Sequence, residues 1–331
     1  MRTPLSGQPS ATILMYHSIS EPSSDRIHRS IVVSPATFEF QMAYLASRAK
    51  VIPLEEYVVA RLEDAPLERS SIIITFDDGY RDNFTNAFPV LAKYGLPATF
   101  FVSTEYIGTG RVKWEDRLNA MVRRSPAAAV SVKVEPTGEP VQFDLTGEAQ
   151  RGKAVNRMIR TLGGLPSSAR RQALEQLDQQ LEEAVDFPKG EDLMLSWDEI
   201  REMAVVPGIS FGAHGASHCR LSQLSSEAID GEIGGSKREI EREIQAPVSH
   251  FSYPYGEPSD FDQSSVEALK AHGFHCAITT VYGTNDTRTD PFRLKRIGVP
   301  NRVGQGFAAG LWLRSSIAGQ ALRRAYDLIC S

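Results

Sequence analysis

The chain has 331 residues, 41% hydrophobic and 23% charged, enough length and apolar content for a full enzyme core. A formal net charge of -5 and a pI near 5.9 exclude the basic footprint of a nucleic-acid binder and say little about a neutral substrate such as a sugar. The three cysteines, Cys219, Cys276 and Cys330, form no C-x-x-C pair, and no secretory leader or bilayer-length apolar run is visible, so a reducing, cytoplasmic location is expected.

Along the chain, residues 11–15 read as a short buried strand that ends in Tyr16-His17-Ser18. Ser34-Pro35 opens a helix, serine as N-cap and proline at the first helical position, with Phe38, Met42, Leu45 and Ala46 as its apolar stripe. Residues 71–75 are β-branched and apolar and run into Asp-Asp-Gly, the pattern of a fully buried strand. A helix over 83–94 closes at Gly95, and 98–103 is the next strand.

The segment 111–195 is rich in Arg, Glu, Gln and Ala, with helical periodicity around 170–185. It predicts a largely helical insertion, whose plainest reading is a solvated decoration. Alternation then resumes. Ser196-Trp197-Asp198-Glu199 is a capping box for a helix to about Ala204. Strands follow at 209–213, 250–253, 275–280 and 294–299, with helices over 225–244 and 262–272 between them. Repeated strand–helix alternation implies a parallel sheet with helices outside it.

Three strand ends carry chemistry. Thr75-Phe76-Asp77-Asp78-Gly79-Tyr80 places two adjacent carboxylates where parallel α/β folds put their active sites. Such a pair is costly to ionise without a cation nearby, and a metal would leave one carboxylate as ligand and the other as base; read alone, the segment is a tight Asp-Gly turn. His214-Gly215-Ala216-Ser217-His218 spaces two imidazoles so that they converge on one ion if the segment makes a helical turn. Read alone, these are two unrelated surface histidines. Phe251-Ser252-Tyr253-Pro254-Tyr255-Gly256 is a strand entering a turn that can expose a backbone N–H to a developing oxyanion.

Together, in this order, the three segments resemble the polysaccharide deacetylase family (NodB homology, carbohydrate esterase family 4) and its T-F-D-D-G, H-[ST]-x-x-H and P-Y-G motifs. The likeness covers 11–110 and 196–300, and Leu14-Met15-Tyr16-His17-Ser18-Ile19 resembles the branch with an N-terminal Y-H-x-I strand. The resemblance implies an α/β fold, a distorted (β/α) barrel over 11–302 interrupted by the helical insertion at about 111–195, and a C-terminal helical tail over 303–331. It implies a metal site of Asp78, His214 and His218 holding zinc, or cobalt or nickel in its place. Asp77 would be the general base, Tyr255 of the Pro254-Tyr255-Gly256 turn the oxyanion donor, and His17 the general acid.

Three departures stand out, one of them the lack of a late L-x-H motif to supply the general acid, which is what makes His17 the candidate. Gly215 replaces the usual Ser or Thr, and Phe251 stands where many members carry an arginine that orients the base. Arg296, or less favourably Arg293, would supply that charge from the last strand. The implied reaction is hydrolysis of an N-acetyl group from an amino sugar, in an oligosaccharide or a lipid-linked glycan. An O-acetyl sugar esterase, a formamido-sugar deformylase and an inactive sugar-binding relative are the alternatives. Residues 310–329 read as a helix with Leu311, Trp312 and Leu313 near Arg314, Arg323 and Arg324. Such a helix either docks on the barrel or makes peripheral contact with the inner face of a membrane. The oligomeric state is left open.

Overall fold

Seven short segments pair side by side in chain order: β1 (Ala11–Tyr16), β2 (Ser71–Phe76), β3 (Ala98–Val102), β4 (Ile209–Ala213), β5 (His250–Ser252), β6 (Cys276–Tyr282) and β7 (Leu294–Gly298). Every pairing is parallel, and β7 pairs back onto β1 to close a barrel. The structure is a computed structural model that describes residues 11–22, 27–63, 71–133, 139–165, 167–181, 190–303 and 307.

The strands read as continuous apolar runs because both of their faces are buried. In β2, Ile72, Ile74 and Phe76 pack with residues of the surrounding helices, including Phe38, Met42 and Leu91. The intervening Ile73 joins Ile13, Phe101, Ile278 and Leu294 in the bore. Leu54, Tyr57 and Val58 of helix Leu54–Leu62, an element the sequence reading passed over, close the mouth at the strands' N-terminal ends.

The helix Pro35–Arg48 starts as its Ser-Pro signal predicts, with Ser34 Oγ accepting the Thr37 N–H at 3.3 Å. The capping box at Ser196 and Glu199 also forms and opens helix Trp197–Ala204. The helices expected over 83–94 and 225–244 are each interrupted by a π-helical turn, at Asn83–Ala87 and Gly231–Gly235.

The insertion lies between β3 and β4. Helices Trp114–Arg124, Glu148–Gly163 and Ser167–Leu181 enclose an apolar cluster of their own, built on Leu118, Met121, Val155, Met158, Leu162 and Leu177. It is less purely helical than expected. Ala129–Lys133 and Pro140–Asp144 pair as an antiparallel hairpin, burying Val130, Val132 and Phe143 on one face while Ala129, Lys133, Pro140 and Asp144 stay exposed. That period-2 pattern overrides the helix-forming composition around it. Cys219 and Cys276 are buried free thiols. The expected helix over 310–329, and Cys330, lie outside the described residues. Among the described residues no helix is long and apolar enough to cross a membrane.

Gly212 marks how tightly the bore is filled. A Cβ there would sit 2.5 Å from the Phe101 ring and 2.8 Å from the His250 carbonyl oxygen. Gly212→Ala is expected to lower stability by about 1–3 kcal/mol, the range for overpacking a close-packed interior. A urea midpoint equal to that of the unsubstituted chain would show that the bore can give way.

Candidate active site

Period-2 alternation carries the apolar bore upward into a polar layer. After Ile73 and Thr75 the next inward position of β2 is Asp77; after Leu294, that of β7 is Arg296; after Gly212, that of β4 is His214. Arg296 and Asp77 are each about 1% exposed. The guanidinium grips the carboxylate with both terminal nitrogens, Nη1 to Oδ1 at 2.8 Å and Nη2 to Oδ2 at 2.6 Å. Its Nε donates to the Thr279 carbonyl at 2.8 Å and Nη2 to Ser252 Oγ at 3.1 Å. Burial works to raise the Asp77 pKa, but Arg296, with His214 and His17, outweighs it, and the carboxyl is held below its ordinary value. Arg293 lies away from this layer, 3.6 Å from Asp290 at a half-exposed position.

Asp78 and Gly79 both adopt left-handed backbone, with φ of +78° and +84°. For Asp78 this is a strained conformation, and it turns the carboxylate across the barrel mouth. The His214 Nδ1 donates to the Ser252 carbonyl at 2.7 Å, which leaves Nε2 as the ring nitrogen with a free lone pair, 3.5 Å from Asp78 Oδ1. His218 Nε2 lies 3.2 Å from the same oxygen.

The two imidazoles converge, though not through the helical turn expected of their spacing. Residues 214–218 form a loop in which Gly215 (φ +71°) and His218 (φ +57°) are left-handed. Ligand atoms of Asp78, His214 and His218 lie within 4.8 Å of one another, and all three residues are buried. Asp78 Oδ1 is a buried oxygen with no well-formed hydrogen bond. An orphaned carboxylate oxygen facing two imidazole nitrogens fits a divalent cation with positions left open for water and substrate.

The insertion also reaches the site, which its reading as a solvated decoration missed. Lys113 Nζ is buried 2.6 Å from Asp78 Oδ2. Glu115 Oε1 lies 3.6 Å from His218 Nδ1 and accepts the Tyr255 hydroxyl at 2.6 Å. Trp114 Nε1 also donates to that hydroxyl, at 3.3 Å. Asp116 accepts the Tyr80 hydroxyl at 2.9 Å, and burial pushes its carboxyl up to about 7 despite Lys113. The run Lys113-Trp114-Glu115-Asp116, which mixes aromatic and acidic residues at a helix start, was the available signal.

Tyr255 is left-handed (φ +61°), as is Gly256 (φ +74°), where a Cβ would meet the Thr280 nitrogen at 2.8 Å. Thr280 Oγ1 donates to the Tyr255 carbonyl at 2.7 Å, and the Arg220 guanidinium lies 4.2 Å from the tyrosine ring centre. Pro254 supplies the carbonyl that accepts the Gly256 N–H at 2.7 Å. His17 follows β1 on the inward face, and its loop is tied down by Asn83 Nδ2 on the His17 carbonyl (2.7 Å) and by Asp82 on Ser18 Oγ (2.5 Å) and Ile19 N (3.0 Å). Burial lowers the His17 pKa, with the Asp78 and Asp77 carboxylates pulling the other way. A cavity of about 270 Å³ is lined jointly by His17, Asp77, Asp78, His214, His218 and Tyr255.

The description of the polysaccharide deacetylase family matches residues 64–130 and 161–277, over half of the chain. The chain belongs to that family. A putative polysaccharide deacetylase of Bacillus subtilis is 23% identical over 300 residues, 90% of this chain and 74% of that protein. A poly-β-1,6-N-acetyl-D-glucosamine N-deacetylase of Staphylococcus epidermidis is 34% identical over 111 residues, only 30% of this chain and 38% of that enzyme. Among solved structures, a Streptococcus pyogenes deacetylase in complex with acetate superposes with a TM-score of 0.61 at 18% identity, covering 94% of this chain and all (100%) of that one. IcaB from Ammonifex degensii gives a TM-score of 0.59 at 18% identity, over 94% and 98%. These likenesses share the barrel fold. His17 and Arg296 lie outside the residues that the family description matches.

The electrostatics of the ligand set give a measurable consequence. Burial and Lys113 both lower the His218 pKa, but the neighbouring Asp78 and Glu115 carboxylates outweigh them and raise it to about 9. At neutral pH the metal-free site therefore holds a proton that a metal must displace. Zinc binding at pH 7 is expected to release about one proton, and the apparent affinity to rise about tenfold per pH unit until His218 titrates. Calorimetry in buffers of different ionisation enthalpy measures this, and a heat independent of buffer would show that His218 carries no proton in the metal-free site.

Proposed function

We propose that this member of the polysaccharide deacetylase family is a metal-dependent hydrolase that removes the N-acetyl group from an amino sugar in a glycan or glycan precursor. The observation that carries the reading is the Arg296-clamped Asp77 beside the Asp78–His214–His218 cluster in one cavity. The Staphylococcus epidermidis relative, named for N-deacetylation of poly-β-1,6-N-acetyl-D-glucosamine, supports an N-acetylated amino sugar as the substrate class.

Asp78, His214 and His218 would hold the ion, zinc in the first instance. When bound, it supplies Lewis acidity to the acyl carbonyl and acidifies the attacking water. Asp77 accepts the proton of that water. Its ionised state is held by Arg296, so it is available as a base across the neutral range. The Tyr255 backbone N–H, fixed by the left-handed turn and by Thr280 on the adjoining carbonyl, faces the charge that develops on the acyl oxygen. An amine leaves only when protonated; His17, on the same cavity wall, gives it a proton and is restored afterwards by the proton that Asp77 holds.

The test is acetate release from N-acetylated glucosamine oligomers, with and without a chelator. Chelation is expected to abolish activity and zinc, cobalt or nickel to restore it. Asp77→Asn should keep its metal and lose on the order of a hundredfold or more in rate. Full activity of the metal-free protein, or an active Asp77→Asn, would sink the mechanism.

His17→Ala separates chemistry from scaffolding. The variant is expected to bind zinc normally yet lose turnover on amides, and to lose much less on an activated aryl ester whose leaving group needs no proton. Equal losses on the two substrates would assign His17 a structural part.

A further inference from the structure

Beyond the ligands themselves, the loop that delivers His218 needs an anchor. Its backbone is left-handed at Gly215 and at His218, and for a histidine that conformation is unfavourable unless the surroundings impose it. The Ala216 and Ser217 amides, successive N–H groups of this loop, point at a single carboxylate oxygen, Glu232 Oε2, at 2.8 and 2.9 Å. Ser217 Oγ donates to the other oxygen, Oε1, at 2.5 Å. Two consecutive amides and a hydroxyl around one carboxylate make an anion-binding nest, here filled from within the chain by charge-assisted bonds.

Two further features of the chain fit this arrangement. Glu232 stands on the π-helical turn Gly231–Gly235, an irregularity inside an otherwise regular helical run, and π-turns concentrate at functional sites. Its loosened carbonyls, those of Glu232 and Ile233, are taken up by the buried Ser236 hydroxyl at 2.6 and 3.0 Å. On the loop side, a Cβ at position 215 would come within 2.9 Å of Glu232 Oε2. Gly215, where the family motif carries Ser or Thr, leaves room for the carboxylate in this position.

We propose that Glu232 is the positioning residue of the metal centre, holding the 215–218 loop in the strained form that returns His218 to Asp78 and His214. It touches no ligand atom and acts through the two amides on either side of Ala216 and through the Ser217 hydroxyl. The inference rests on Asp78, His214 and His218 being the metal site.

The test reads metal affinity, with zinc alone as probe and a chromogenic chelator as competitor at fixed pH. Glu232→Ala is expected to weaken the zinc Kd by about 10–100-fold, the usual range for loss of a partner behind the ligands. Its unfolding temperature in the metal-free state should stay close to that of the unsubstituted protein, because the loop conformation it releases is a strained one. Glu232→Gln keeps an acceptor for the two amides and should recover part of the affinity. Should Glu232→Ala fail to fold, Ser217→Ala removes one of the three bonds without touching the helix, and a several-fold weaker Kd is expected. Unaltered zinc affinity in the folded Glu232 and Ser217 variants overturns the inference alone. Absence of zinc uptake by the unsubstituted protein overturns the metal site, and this inference with it.

Discussion

The ion pair between Arg296 and Asp77 is the constraint around which the barrel mouth is built. A guanidinium about 1% exposed, above a bore lined largely by apolar residues such as Ile73, Phe101 and Leu294, is tolerable only if its donors find partners. Asp77 takes two of its bonds, the Thr279 carbonyl a third and Ser252 Oγ a fourth. Ser252 in turn gives its carbonyl to His214 Nδ1, so the strand that completes the arginine's shell also sets the tautomer of the first histidine. The proposed base Asp77 and the proposed ligand His214 are thus oriented by one network, and a change at any member reaches the others.

That network limits the base. A carboxylate paired so closely with a guanidinium is ionised over the whole neutral range, but its low pKa makes it a weak acceptor. It can work only on an acidified water, so a base of this kind and an adjacent cation site imply each other. The same charge balance recurs one layer out, where Lys113 offsets Asp78 and Glu115 lies beside His218. Lys113 takes Oδ2 of Asp78 and leaves Oδ1 toward the imidazoles, so the ligand carboxylate presents one oxygen rather than two.

The strands and their chemically active ends were legible because one physical pattern serves both. Continuous apolar runs marked β2 and its neighbours, and the polar residues that break each run are those that alternation carries inward at the mouth, Asp77, His214 and Arg296. Arg296 was reached as a substitute for an arginine missing at Phe251, and the structure brings it to Asp77 while Arg293 stays at the surface. What could not be read depended on backbone torsion or on distance along the chain. Nothing in the identity of His218 announces a φ of +57°, so its spacing from His214 suggested a helical turn that does not form. Glu232 lay unmarked within the helix read over 225–244, and Lys113 and Glu115 within a solvated insertion, because their partners come from other elements.

The division of the molecule into two apolar clusters gives this arrangement a further meaning. The hydrolytic groups project from the barrel, whose packing is continuous with its surrounding helices, whereas the insertion is organised on a cluster of its own. The insertion supplies Asn156, Ile159 and Arg160, which line the cavity with the barrel residues, together with Trp114 and Glu115, which hold the Tyr255 side chain. Changes on the exposed face of helix Glu148–Gly163 can therefore reshape the wall that a sugar meets without disturbing Arg296, Asp77 or the ligand set. Trp114 and Glu115 are bound to a stricter role, since they hold the side chain of Tyr255, the proposed oxyanion donor. Within one insertion, then, the helix over 148–163 contributes cavity wall, while the start of helix Trp114–Arg124 contacts Tyr255 and His218.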